Sequence, residues 1–245
     1  MIIDAHCHAG RGDILHHPWD TDAPLEPHLA RAREAGIART AVFPISNVDM
    51  EKANEEVASL VAANSKELIG FYRIDPPRMA GRVGALLEKA VGQWGYRGVK
   101  VHAADGWPTR EIMEACRDRG LPILIDIKDT PAPVEMLAQQ YPTVNLIVAH
   151  LGSFAGDWRV HSATIDLMRR YPCVHADTSS VRFFDWLLRA VREAGPEKLL
   201  FGSDGPLLHP GLELMRVRLL KLAPADEALV LGGNIERLMP PAVRG

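Results

Sequence analysis

The stretch NLIVAHLG, Asn145 to Gly152, runs through four apolar residues, Leu146 to Ala149, without alternation and turns polar only at His150. A strand with one wet face alternates; a run that is apolar on both faces belongs to a parallel strand covered on both sides. Seven further runs of this character lie on either side of it. They are Ile2 to His6, Arg39 to Phe43, Leu68 to Ile74, Gly98 to Val101, Pro122 to Ile127, Cys173 to Asp177 and Leu199 to Ser203. Amphipathic stripes separate them. Val83, Leu86, Leu87, Ala90, Val91 and Trp94 share one helical face with Gly95 as the stop, and Val57, Leu60 and Val61 follow Asp49, a residue type suited to the N-cap. Gly36, Gly120 and Gly195 close similar stripes. Eight strand and helix pairs in 245 residues give about 31 residues per unit. That spacing predicts an α/β fold, a single-domain (β/α)8 TIM barrel over residues 1–245. An open doubly wound sheet lacks its best cue, because no GxGxxG follows the first run. Ala9 to Pro27 reads as a loop over a site, and Ala223 to Gly245 as short helices closing the barrel floor or side.

Composition narrows the function classes. With 28 Lys plus Arg against 31 Asp plus Glu, a net charge of −3, 47% hydrophobic and 24% charged residues, the chain is neither disordered nor fibrous. The charge offers no general attraction to nucleic acid or anionic lipid, and no run is long enough to span a membrane. A small-molecule substrate is the expected partner, with homo-oligomerisation left open. Cys7, Cys116 and Cys173 are odd in number and far apart, which argues for a reducing compartment. Asp4 and His6 follow Met1 to Ile3 too closely for a secretory signal, so a cytoplasmic location is expected.

Barrel enzymes carry their reacting groups where strands end. Those ends here hold His6 and His8, Arg73 and Asp75, Lys100 and His102, Asp126, His150, Asp177 and Asp204. Strand period two turns His6 and His8 to the same side, where both imidazoles can face one metal; Asp4 shares that parity and Cys7 opposes it. The last strand closes on the first at about 4.8 Å, which brings Asp204 beside them. Asp204 also suits a helix cap in FGSDGP. His150 ends an apolar strand, either as a satisfied core histidine or facing the pocket, and Gly152 beyond it favours close approach of a ligand or backbone. Lys100 and His102 share parity. Lys100 suits a substrate anion, a carbamylated bridge between two metals, or a pair with Asp126, and His102 suits the pocket wall or support of a ligand. Asp126 interrupts ILIDI, where an unpaired carboxylate costs several kcal/mol, so a cation belongs beside it, either a metal or Lys100.

These residues resemble the amidohydrolase superfamily, in its amidohydrolase-related branch that also contains metal-dependent decarboxylases. The likeness is carried by DAHCH (Asp4 to His8), YRIDP (Tyr72 to Pro76), GVKVH (Gly98 to His102), VAHLG (Val148 to Gly152), DTSS (Asp177 to Ser180), FGSDGP (Phe201 to Pro206) and GGNIERLM (Gly232 to Met239). It spans nearly the whole chain. The resemblance implies a barrel with a divalent ion at its C-terminal mouth, held by the strand-1 histidines, a strand-5 histidine and the strand-8 aspartate. This chain departs at strand 5, where LPILIDIKD has Asp126 in place of that histidine. An oxygen donor there makes manganese more competitive with zinc, the expected ion, or weakens binding altogether.

The expected function is therefore a metal-dependent hydrolase. His6, His8, Asp126 and Asp204 hold an ion that activates water, Asp204 takes its proton, and His150 stabilises the oxyanion. A small amide, lactone or ester is the substrate, with Arg73, Lys100 and His102 as binding residues and Arg11 or Arg182 as loop contacts. The alternative is non-oxidative decarboxylation of a small aromatic or unsaturated acid against Trp19, Trp107, Phe183 or Phe184. It ranks second because decarboxylases of this branch are generally longer, with added helices. A third reading is a non-catalytic barrel that lost its ion through the change to Asp126.

Overall fold

The computed structural model describes residues 1–13 and 22–241. Among the described residues nine strands form one sheet: β1 (Ile3–Arg11), β2 (Asp22–Ala23), β3 (Arg39–Pro44), β4 (Leu68–Ile74), β5 (Gly98–His102), β6 (Ile123–Asp126), β7 (Leu146–Val148), β8 (Val174–Asp177) and β9 (Leu199–Leu200). Neighbours run in the order β2-β1-β3-β4-β5-β6-β7-β8-β9. All pair in parallel except β1 with β2, a two-residue strand inside the stretch read as loop and too short to show a period. The sheet curls until its last strand meets its first. Ala5 N–H donates to Phe201 O at 2.9 Å, Asp204 N–H to His6 O at 2.8 Å and His8 N–H to Gly205 O at 2.6 Å. Eight parallel strands and these closing bonds make the (β/α)8 barrel expected from the sequence.

Helices α1 (Leu25–Glu34), α2 (Met50–Ala63), α3 (Val83–Trp94), α4 (Arg110–Arg119), α5 (Ala132–Gln140), α6 (Trp158–Arg170), α7 (Phe184–Ala194) and α8 (Pro210–Arg218) follow the strands in turn, with short α9 (Pro224–Ala228) and α10 (Asn234–Leu238) at the end. Their ends obey local chemistry. Asp49 Oδ1 accepts Lys52 N–H at 3.0 Å at the start of α2, and Gly95 takes the left-handed φ of 66° that stops α3. No helix among the described residues is long and apolar enough to cross a membrane.

Alternate residues of each strand feed two apolar layers. On β7, Leu146 and Val148 join the outer layer against the helices, while Ile147 joins Ile3, Ala5, Phe43, Phe71, Leu124 and Leu200 inside the barrel. Both faces are dry, which is why the strand reads as a continuous apolar run. Ile235, Leu238 and Met239 from the C-terminal tail pack into the inner layer and close its floor, leaving the opposite end for chemistry.

One register detail corrects the sequence reading. β1 pairs Asp4 with Thr40 but Cys7 with Val42, so an extra residue is accommodated between them. This bulge breaks the parity of Asp4 with His6. Ala5 belongs to the inner layer, yet beyond the bulge it is Cys7 and Ala9 that lie in the outer one, so His6 and His8 face inward together. Asp4 instead accepts Ser203 N–H at 2.8 Å and Ser203 Oγ–H at 2.5 Å, 3.7 Å from His28 of α1.

Candidate active site

Backbone strain marks one rim of the barrel. Lys128, Asp129, His150, Leu151, Ser180 and Asp204 all take left-handed φ just after strands β6 to β9; among the described non-glycine residues only Lys221 does so elsewhere. Such conformations persist where surrounding contacts over-determine them, and they cluster at functional sites. A cavity of about 250 Å³ opens at this rim, bordered by His8, Arg73, His102, Asp126, His150 and Asp204 among others.

On one side of the cavity His6, His8 and Asp204 converge. Asp204 Oδ1 lies 3.5 Å from His6 Nε2 and 3.3 Å from His8 Nε2, and the three donor atoms fall within 4.8 Å of one another. Asp177 orients the set from behind. Its Oδ2 accepts His6 Nδ1–H at 2.8 Å, which leaves the Nε2 lone pair facing forward. Its Oδ1 accepts Ser179 Oγ–H at 2.6 Å and the N–H groups of Ser179 and His150, both at 3.0 Å. Burial pushes the pKa of His6 down, with Lys100 adding to it, and brings that of His8 to about 3. Both imidazoles are thus neutral, the form that binds a metal. Burial alone would raise the Asp204 carboxyl, but the His8 imidazole 3.3 Å away and the positive charge of His150 hold it well below the usual carboxylate range. Two neutral imidazole nitrogens and one carboxylate oxygen fit a divalent ion of the zinc or manganese type.

Asp126 stands outside that trio. Its Oδ1 accepts Lys128 N–H at 3.0 Å, and its Oδ2 lies 3.1 Å from His102 Nε2 and 3.6 Å from His150 Nε2. Ala104 N–H donates to His102 Nδ1 at 3.1 Å, which assigns the proton of His102 to Nε2 and directs it at Asp126. Despite burial, the imidazoles of His102 and His150 facing Oδ2 hold Asp126 well below the usual range. The cation beside it is His150; Lys100 forms no ion pair with it, its Nζ sitting 3.5 Å from His6 Nε2 and 4.8 Å from the Phe43 ring centroid. Burial pushes the Lys100 pKa down. For His150, burial opposes charge, but the Asp126 carboxylate 3.6 Å away and the charges of Asp204 and Asp177 prevail and raise its pKa to about 9.

Arg73 is buried on the barrel side of β4 and anchored by its fork: Nη1 donates to Pro44 O at 3.1 Å, Nη2 to Ser46 Oγ at 3.1 Å and to Asp105 Oδ2 at 2.7 Å. Phe154 stands edge-on to His150 with centroids 5.3 Å apart and borders the cavity. The structure does not bring every candidate here. Asp75 pairs with Arg78 at 3.4 Å away from the cavity, Arg11 is exposed, and Trp107 and Phe184 pack against the outer layer. Phe183 is exposed, and Arg182 lies over the Phe154 ring at 5.9 Å. Trp19 lies outside the described residues. Asp204 caps no described helix, and Gly152 makes room for Thr164 of α6, whose Oγ1 a Cβ would meet at 2.2 Å. Sequence reasoning gave no role to Asp177, Ser179, Ser180, Glu213, Phe154 or Asp105. Glu213 had a readable signal, as a lone acid on the apolar face formed by Pro210, Leu214 and Val217.

A parallel barrel with imidazole and carboxylate donors converging at its C-terminal rim is an architecture that can hold a divalent ion. The amidohydrolase family model matches residues 3–240, and the chain belongs to that family. No curated protein matches it. Among solved structures it is similar to 5-carboxyvanillate decarboxylase from Sphingomonas paucimobilis (15% identity, TM-score 0.74, covering 97% of this chain and 98% of that one). It is also similar to a dihydroxybenzoic acid decarboxylase from Polaromonas sp. JS666 with bound manganese and 2-nitroresorcinol (17%, 0.71, 97% and 96%). A third is an amidohydrolase from Burkholderia multivorans with bound zinc (16%, 0.77, 98% and 100%). At these identities the likeness shows the fold.

Proposed function

We propose that this protein is a divalent-metal-dependent enzyme that removes carbon dioxide, without oxidation, from a small aromatic or unsaturated acid. The observation that carries this reading is the division of one cavity. His6, His8 and Asp204 form a donor trio on one side, and His150, backed by Asp126 at 3.6 Å, forms a proton-bearing group on the other. When bound, the ion supplies Lewis acidity to substrate oxygens.

The remaining chemistry falls to this chain's residues. Phe154 gives an unsaturated substrate an apolar face beside His150. The guanidinium of Arg73, held in the cavity wall by Pro44, Ser46 and Asp105, offers its remaining Nη1–H to a carboxylate or hydroxyl and fixes orientation. His102 completes the polar wall, with Lys100 buried behind it against His6. As the bond from carbon to carboxylate breaks, its electron pair stays on the carbon, which takes a proton from His150 Nε2 while the carboxylate leaves as carbon dioxide. Asp126 stabilises the cationic ring before transfer.

Hydrolysis would use the same groups, with Asp204 taking the proton of an attacking water. The two are separated by incubating the zinc- and manganese-loaded enzyme with a panel of hydroxybenzoates, unsaturated acids, lactones and amides. The proposal predicts metal-dependent carbon dioxide release that His150→Gln abolishes. Lactone or amide cleavage, with no carbon dioxide from any acid, would overturn it in favour of hydrolysis.

A further inference from the structure

Asp204 divides its two oxygens. Oδ1 faces the imidazoles of His6 and His8, whereas Oδ2 accepts Ser180 Oγ–H at 3.1 Å. Ser180 sits just beyond β8 with a left-handed φ of 59°, a conformation that an L residue keeps only when held. The hold comes from α8. Glu213 is 4% exposed, and its Oε2 accepts Ser180 N–H at 3.2 Å. Arg216, one turn along, lies 3.6 Å from Glu213 Oε1 and donates Nη1–H to Val181 O, so two α8 side chains clamp consecutive residues of this turn. Nothing in the proposed reaction uses Glu213, yet a buried carboxylate off the cavity is costly to keep.

We infer that Glu213 is a positioning residue that acts through Ser180 on Asp204, fixing which carboxylate oxygen faces the metal donors and thereby setting ion affinity. The inference rests on the reading of Asp204 as a metal-holding group. Removing the Glu213 carboxylate leaves the Ser180 N–H buried without an acceptor, the strained turn relaxes, and Ser180 Oγ no longer restrains Asp204 Oδ2. Asp204 can then rotate away from His6 and His8. Partners of this kind, one step behind a ligand, change metal affinity by about 10- to 100-fold.

The test is zinc affinity of the full chain by competition with a chromophoric chelator, alongside thermal unfolding of each variant. Ser180→Ala and Glu213→Ala should each weaken zinc binding by about tenfold or more. Glu213→Gln, whose amide oxygen still accepts Ser180 N–H, should restore most of the affinity. Adding Glu213→Ala to Ser180→Ala should weaken binding no further, because Glu213 acts through the missing hydroxyl. A merely structural glutamate would lower the unfolding temperature while affinity stayed constant, and that result overturns the inference. So does a Glu213→Ala effect that persists undiminished without Ser180 Oγ. If Glu213→Ala does not fold, unchanged zinc binding by Ser180→Ala is sufficient to overturn it. Failure of the underlying reading looks different: the wild-type chain would take up no zinc, or Asp204→Asn would bind as well as wild type, and both conclusions would fall together.

Discussion

Replacing Glu213 by Gln should change how stability depends on pH, by an amount set by burial of the carboxyl. Burial raises the Glu213 pKa from its usual 4.5 to about 7, against the opposing pull of Arg216 and the Ser180 N–H. Below pH 4.5 the group is protonated in both folded and unfolded chains and carries no penalty. Between 4.5 and 7 the unfolded chain releases the proton while the folded chain keeps it, so stability falls as pH rises. Above 7 the folded chain carries the buried charge and the full penalty of about 3 kcal/mol applies. Gln has the same shape, keeps the acceptor for Ser180 and does not titrate. The difference in unfolding free energy, Glu213→Gln minus wild type, should therefore grow by roughly 2.5 kcal/mol from pH 5 to pH 8. Urea unfolding at closely spaced pH values measures it, and other titrating groups cancel in the subtraction. A difference that stays flat across that range would refute the argument, since it would mean that the Glu213 carboxyl titrates as though exposed.

Asp177→Asn removes the anionic partner of His6 Nδ1 and should weaken zinc binding by about 10- to 100-fold in chelator competition; unchanged affinity would mean that His6 needs no orientation from behind. Arg73→Lys keeps the charge but loses the fork, so KM for the acid should rise about tenfold with kcat changed less, and an unchanged KM would exclude Arg73 from substrate binding. Gly70→Ala tests the outer layer: a Cβ there would meet the Tyr96 ring at 2.0 Å, and Tyr96 is buried. It should cost about 2 kcal/mol or more by denaturant unfolding, and a neutral result would mean that Tyr96 moves freely.

The barrel was legible because dry strands leave a plain mark. On β7 the residues between Leu146 and Val148 face helices on one side and the inner layer on the other, so no position tolerates a polar side chain until the strand ends at His150. His6, His8 and Asp204 were legible for a related reason, since period two and barrel closure together place them. What failed was inference across the bulge, where Asp4 loses the parity that counting from His6 gives it. A one-residue irregularity has no sequence signature of its own here. Asp126 was legible as a buried carboxylate in need of positive charge. That the charge comes from His150, with His102 turning its Nε2 to the same oxygen, depends on where the loop at Ala104 fixes the His102 tautomer, and spacing does not encode this. Glu213 acts on Asp204 through one side chain from another element. Such coupling is set by packing of α8 on the turn after β8, so neither local stretch announces it.

Elemental analysis of the dialysed protein after incubation with zinc and with manganese is the most direct test of the account. It predicts about one divalent ion per chain in the wild type, lost in His6→Ala and in Asp204→Asn, with circular dichroism unchanged. A wild-type chain that retains neither ion, or variants that retain as much as wild type, would contradict it.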